Sequence, residues 1–337
     1  VPPKALTVDQ LDEKALLARI FPRLGPTTAL VGPGDDAAVI AAPDGRTVIS
    51  IDTLVQDADF RLLWPSGYRT TGFVVGWKCA AQNLSDISAM GAVPTSLVVS
   101  LTLPGSTEVA WVEDLATGLA AGVHSLTLTA GRCSVVGGDL GGGSQIVVTA
   151  AVTGDLEGRA PVLRSGARPG DILAQAGALG AAAGGLAVLE SSLDYSALQK
   201  EDDQVLAGLV ASQNRPHPPV RLGPQAATAG ATAMLDVSDG LVRDAGRIAR
   251  ASGVAINLDA GYLASRVAAL ASAAARLGAD PLGWVLGGGE DHGLLAAFPP
   301  DAALPEGFVR IGQVAAGEGV TVGGQAPSTI GWDHFAG

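Results

Sequence analysis

The stretch ATAMLDVSDGLVRDAGRIARA, residues 231–251, decides how this chain is read. Ala231–Val237 is an apolar run of strand length that ends among acids and a glycine, Asp236-Val237-Ser238-Asp239-Gly240. From Leu241 the apolar residues return at helical spacing, with Leu241, Ala245 and Ile248 on one side and the helix reaching about Ala251. A strand, an acidic glycine turn and a helix in that order form the repeating unit of an α/β or α+β protein. The first half carries a similar signal where Gly137-Gly138-Asp139 closes a Val135-Val136 run. That is a weak hint of related halves.

Outward from there the alternation continues. Asp9–Ile20 reads as an amphipathic helix with Leu11, Ala15, Leu16 and Ile20 on one side. Ala37–Ala41 and Thr47–Ile51 flank a Pro43-Asp44-Gly45 turn, as a hairpin would. Thr71–Met90 reads as a helix stopped by Gly91 and Pro94, and Thr95–Leu103 as a strand stopped by Pro104. A helix over Val109–Leu119 and a strand over Gln145–Val152 follow. Arg159–Asp171 has the Gly/Pro/Arg texture of a junction, so the expected domains are 1–157 and 158–337. Beyond it lie a Gly/Ala-rich helix at about 179–190, a polar segment through Gln213, a Pro216–Pro219 connection and a late strand, Leu294–Phe298.

Composition narrows the function. At 337 residues, and roughly 150 per domain, two domains fit, and 47% hydrophobic content fills their cores. A net charge of −12, without any basic stripe, argues against a nucleic-acid binder. Aromatics at 4% argue against a stacking platform for single strands. Cys79 and Cys133 are far apart and lack CxxC spacing, so a disulfide framework and a thiolate zinc site are poorly supported, and reduced thiols in a cytoplasmic protein are expected. The N-terminal residues do not read as a signal peptide. Ile172–Leu189, the most lipophilic stretch, is Gly/Ala-rich and broken by Gln175, unlike a spanning helix.

The chemistry lies in the acids. Besides Asp236–Gly240, clusters stand at Gly34-Asp35-Asp36-Ala37, Ser50-Ile51-Asp52-Thr53 at the end of a strand, Asn83-Leu84-Ser85-Asp86, Gly137-Gly138-Asp139 and Gly287-Gly288-Gly289-Glu290-Asp291. Each has a plain reading alone. Asp35-Asp36 and Gly138-Asp139 suit solvated turns, and Ser238 or Asp239 suits a helix cap. Lys78, Gln82, Ser85 and Asp86 form one polar seam on an apolar helix, which either faces solvent or lines a site. Six acidic clusters beside glycine-rich backbone are what a multi-metal phosphate site requires: hard oxygens hold Mg²⁺, and glycine lets N–H groups approach anions. No GxxxxGK[ST] or kinase HRD/DFG set is present, and Gly141-Gly142-Gly143 lacks dinucleotide spacing. His124, His217, His292 and His334 read as surface or packing residues rather than catalysts.

The clusters occur in an order that resembles the thiamine-monophosphate kinase family: Gly32–Ala38, Asp52–Val55, Asn83–Asp86 with Ala89–Ala92, Gly137–Asp139, Arg164–Asp171, Asp236–Leu241, Gly288–Asp291 and a closing Gly331–Phe335. The resemblance covers nearly the whole chain. It implies an α/β (α+β) two-domain fold like that of aminoimidazole ribonucleotide synthetase, with ATP between the domains and homodimerisation through the N-terminal sheets. It implies ATP-dependent phosphorylation of thiamine monophosphate with several Mg²⁺ ions. By position, Asp36, Ser50, Ile51 (through its carbonyl), Asp52, Asp86, Asp139, Asp236 and Asp239 resemble metal ligands. Gly138, Asp139, Arg164 and Ser238 resemble ATP-contacting positions, and Asp59, Glu290 and Trp332 substrate-contacting ones. Asp86, Asp236 and Arg164 carry the expected catalytic weight.

The chain departs from the family pattern in four places. Asp59 stands where His is usual, Ile51 where Thr is common, Leu140 where Thr is frequent, and His292-Gly293 where Tyr-Glu is often seen. Asp59 bears on acceptor specificity. The competing readings are a superfamily relative with another acceptor, such as a selenophosphate or aminoimidazole ribonucleotide synthetase, and a catalytically silent nucleotide- or metal-binding protein. The selenium branch would want a cysteine near the N-terminus, and the silent reading the loss of a metal acid; neither is seen.

Overall fold

The computed structural model describes residues 5–27, 29–30, 40–127, 133–200 and 203–332. The Asp35-Asp36 cluster, most of the expected strand 37–41, and Asp333, His334 and Phe335 lie outside the described residues. The chain divides into two compact units. Unit one takes the chain up to Trp64, with Tyr68–Ile87 and Val93–Glu157; unit two takes Pro65–Gly67, Ser88–Ala92 and everything from Gly158.

Unit one contains α1 (Glu13–Ile20), β1 (Val48–Val55), α2 (Gly72–Ala89, its last two residues in unit two), β2 (Val93–Leu103), α3 (Val109–Thr127), β3 (Ser134–Gly142) and β4 (Val147–Asp155). The expected helix over 9–20 is split: Val8–Gln10 is a 3₁₀ turn, and Asp12 starts α1 afresh by accepting the Ala15 N–H at 2.7 Å. The sheet order is β1-β4-β2-β3, antiparallel except for the β2–β3 pair. Pro94 lies inside β2, where a register shift between Pro94 and Ser96 absorbs its missing donor.

On the inner face, Leu54, Leu97, Leu101, Val148, Ala150 and Val152 are buried. The outer face leaves Ile49, Ile51 and Val98 exposed at 69%, 64% and 41%. Helix α3 runs two turns beyond the expected Leu119, because α2 and α3 meet backbone to backbone. A Cβ on Gly76 would stand 2.1 Å from the Leu115 carbonyl oxygen, and one on Gly118 2.0 Å from that of Phe73. These glycines are the contact points between the two helices.

Unit two contains β5 (Ile172–Ala176), α4 (Ala181–Glu190), α5 (Tyr195–Lys200), α6 (Gln204–Asn214), α7 (Leu222–Thr228), β6 (Ala233–Val237), α8 (Leu241–Ser252), β7 (Ala255–Leu258), α9 (Ala260–Leu277), α10 (Pro281–Gly287), β8 (Gly293–Phe298), β9 (Val309–Ala315) and β10 (Gly319–Val322). Its six strands run β10-β7-β9-β5-β8-β6, antiparallel but for β10–β7. The fold is thus mixed α/β with two sheets. Strands β6 and β8, central to the site, are buried along their whole length. The polar segment before Gln213 proves helical, with Asp203 capping α6 through the Leu206 N–H.

Candidate functional site

In β1 successive side chains alternate, so Ser50, Asp52 and Leu54 face inward while Ile49, Ile51 and Thr53 face out. The Ser50 hydroxyl donates to Asp86 Oδ2 at 2.5 Å, joining β1 to α2. Asp52 lies mid-strand rather than at a strand end, a correction that follows from β1 continuing to Val55. Ile51 has its side chain on the opposite face and offers the inner face only backbone. The polar seam of α2 does not face solvent: Lys78, Gln82 and Ser85 are buried, with Asp86 at its partly open end. Beside it Cys79 is fully buried, and its thiol is pushed up to about 12, first by burial and then by the Asp52 charge.

Asp139 stands elsewhere. The register runs Thr53–Thr149–Ser100–Asp139 across the sheet, whereas Asp52 shares its row with Ala150, Val99 and Gly138. Residues directly opposite share a face. Asp139 is therefore on the outer face of the far edge strand, and unit one does not bring it to Ser50, Asp52 and Asp86. Gly138 faces inward, where a Cβ would meet the Val99 carbonyl oxygen at 2.2 Å. Next to it is an apolar cavity of about 60 Å³ lined by residues including Ile20, Val99, Leu115, Leu119, Val135 and Gly138. Asp59 closes a tight turn: its Oδ2 accepts the Val55 N–H at 2.7 Å, and its own N–H bonds the Val55 carbonyl.

In unit two, Asp236 near the end of β6 is buried, and its Oδ2 lies 3.2 Å from His292 Nδ1. The next turn is not capped by its own Ser238 or Asp239. Instead Asp244, fully buried inside α8, accepts both their backbone N–H groups on one oxygen, at 3.1 and 3.0 Å. Arg247 bonds Asp244 with one nitrogen and Asp239 with the other. Burial holds the Asp244 carboxyl up at about 6, opposed by the Arg247 charge.

A second segment docks on this turn through backbone bonds: Glu290 N–H to Ser238 O, His292 N–H to Val237 O and Trp332 N–H to Asp239 O. The Trp332 residue itself is 60% exposed. Asp291 points the other way and accepts the N–H groups of Gly180 and Ala182 at the start of α4, at 2.5 and 2.9 Å. Burial lifts its carboxyl to about 6. Glu290 and His292, flanking it, both hold positive φ, 69° and 50°. Such backbone costs a non-glycine residue on the order of 1–3 kcal/mol and persists where surroundings impose it. Arg164 is exposed, with the Ser252 hydroxyl placed 3.2 Å from its carbonyl and from the Gly166 and Ala167 N–H groups.

The described histidines divide between the surface and the interior. His124 and His217 are exposed, but His292 is buried in the site, with Nε2 3.5 Å from Glu290 Oε2. Burial alone would lower its pKa; the carboxylates of Asp236 and Glu290 beside it outweigh that and lift it to about 10. Asp244 and Arg247 were also missed. Their only signal was the i, i+3 spacing of opposite charges behind the acidic turn.

Among the described residues, no group of three or more His, Cys, Asp or Glu side chains closes on a single point. The donors gathered in unit one, Ser50, Asp52 and Asp86, are oxygen only, as a hard cation such as Mg²⁺ prefers. No described helix is long and apolar enough to cross a membrane.

Residues 34–156 match the family described as AIR synthase related protein, N-terminal domain, which defines the class. A thiamine-monophosphate kinase of Mycobacterium tuberculosis is 45% identical over 335 residues, covering 98% of this chain and 93% of that protein. One from Corynebacterium glutamicum is 37% identical, covering 90% and 88%. A solved structure described as AaThiL complexed with AMPPCP and TMP superposes with a TM-score of 0.73 at 29% identity, covering 99% of this chain and all of that one, 100%. This chain belongs to the thiamine-monophosphate kinase family.

Proposed function

We propose that this protein transfers the γ-phosphoryl group of ATP to thiamine monophosphate, giving thiamine diphosphate and ADP. The family relationship along the whole chain supports both substrates, and the related complex holds AMPPCP, an ATP analogue, with TMP. The observation that carries the reading is the inward-facing oxygen set of Ser50, Asp52 and Asp86, two acids committed to one side of a sheet.

The acceptor is a phosphate oxygen, largely ionised near neutral pH. It attacks in line, a new P–O bond forming as the bond to the β-phosphate oxygen breaks, and no side chain need accept a proton. The obstacle is repulsion between two anions. Asp86 and Asp52 with the Ser50 hydroxyl and the Ile51 carbonyl, and Asp236 with Asp239, would hold Mg²⁺; Asp36 would join them by family position, whereas Asp139, on the outer face of the sheet, stands apart from the unit-one set. Bound there, Mg²⁺ supplies the positive charge that offsets that repulsion. Arg164 adds a cation for the triphosphate. The cavity beside Gly138 is apolar and suits the edge of a nucleobase. Glu290 and the exposed Trp332 ring are assigned to the acceptor, the indole suited to a cationic thiazolium.

We further infer a homodimer, formed through the outer face of the unit-one sheet, where Ile49, Ile51 and Val98 are exposed together. A cytoplasmic location is supported by the ATP requirement and by two free cysteines. The decisive assay is ADP release from Mg-ATP with thiamine monophosphate, thiamine, selenide and formylglycinamidine ribonucleotide in parallel. Turnover with thiamine monophosphate alone is expected; turnover with selenide or the ribonucleotide instead moves the chain to the other branches.

A further inference from the structure

The His292 imidazole stands between two carboxylates with a ring nitrogen toward each: Nδ1 is 3.2 Å from Asp236 Oδ2, and Nε2 is 3.5 Å from Glu290 Oε2. The residue is 5% exposed. The segment that carries it is anchored by bonds in which the ring takes no part. Its N–H bonds Val237, that of Glu290 bonds Ser238, and the Asp291 carboxylate takes two N–H groups at the start of α4. The backbone bonds hold the segment in place, so the ring's contacts with Asp236 and Glu290 can serve the site. A rigid planar ring that carries an N–H on either side can hold two carboxylates at a set separation, which a single-headed donor cannot.

We propose that His292 is a positioning residue that sets the carboxylate assigned to metal, Asp236, against the carboxylate assigned to the acceptor, Glu290. The proposal rests on the functional reading above, which assigns those two roles. Without the ring, the two carboxylates lose the partner they share, and their separation is no longer set by it.

The two contacts can be removed one at a time in the full-length chain. Asparagine keeps an amide nitrogen near the place of Nδ1, facing Asp236; glutamine keeps one near the place of Nε2, facing Glu290. The readouts are Mn²⁺ affinity by electron paramagnetic resonance without nucleotide, the KM values for both substrates, and the melting temperature. His292→Ala is expected to weaken Mn²⁺ binding and raise the KM for thiamine monophosphate about tenfold each, leaving the KM for ATP within about twofold. His292→Asn should recover Mn²⁺ binding but not the acceptor KM, and His292→Gln the reverse.

Asparagine and glutamine variants that change together, in step with the melting temperature, overturn the proposal. So do an alanine variant that behaves as wild type and a wild-type chain that binds no Mn²⁺. If the alanine variant does not fold, the asparagine–glutamine comparison decides alone. A wild-type chain inactive on thiamine monophosphate defeats the functional reading instead, and the Mn²⁺ arm still tests whether the ring positions Asp236.

Discussion

Asp86 and Asp236 show what single residues are asked to do. Each is a carboxylate held by a neighbour from a distant stretch of chain, Ser50 for the first and His292 for the second. Asp86→Asn and Asp236→Asn remove charge but not volume, and each is expected to cut turnover roughly a hundredfold or more. Thermal melts should stay near wild type; near-normal ADP release in both would defeat the metal assignment. Arg164 is exposed, with its backbone beside Ser252, so Arg164→Ala should act on the nucleotide alone. The expected result is a KM for ATP raised about tenfold, the scale of one charge-assisted contact; an unchanged ATP titration contradicts the role. The thiols make a separate point. Cys79 and Cys133 are both pushed up to about 12 by burial. At pH 8 only about one thiol in ten thousand is then thiolate. Native protein should therefore resist iodoacetamide at Cys79, which is fully buried, and mass spectrometry should find that residue alkylated only after denaturation.

Elements in this protein are placed by what their backbones can approach. Helices α2 and α3 touch at Gly76 and Gly118, each facing a carbonyl at about the distance where a Cβ cannot stand. Gly76→Ala is expected to lower stability by about 2–3 kcal/mol, because overpacking outweighs the roughly 1 kcal/mol gained in helix propensity. Urea unfolding at constant slope measures it, and an unchanged midpoint contradicts the close packing. The same principle holds further along α3, where Gly122 lets the helix pass close to Trp77 and Ala80 of α2. At α8 the apolar stripe of Leu241, Ala245 and Ile248 was legible. Its capping was not, because the acid that holds the turn, Asp244, lies inside the helix and its bonds are visible only in three dimensions.

At the scale of the molecule, the sheet of unit one has one face buried and one carrying isoleucine. Ile51, 64% exposed, lies at its β1 edge with Val98 in the same row across β4. Ile51→Glu is expected to convert a dimer to a monomer in analytical ultracentrifugation while leaving the melting curve of the chain cooperative. A species that sediments identically before and after the change excludes this face as the interface.

Which chemistry to expect was decided along the chain itself, because residue type settles it: carboxylates and hydroxyls beside glycine favour hard cations and phosphate, and those residues can be read in order without coordinates. The strand–acid–helix unit at 231–251 was equally plain, since hydrophobic period is local. Tertiary structure alone decided the partners. Whether a side chain faces its neighbour depends on strand parity and register, which put Ser50 against Asp86 and set Asp139 on the opposite face of the sheet. It decided His292 as well. A histidine's role follows from which charges surround it after folding, and Asp236, 56 residues away in sequence, is brought to it only by the pairing of β6 with β8.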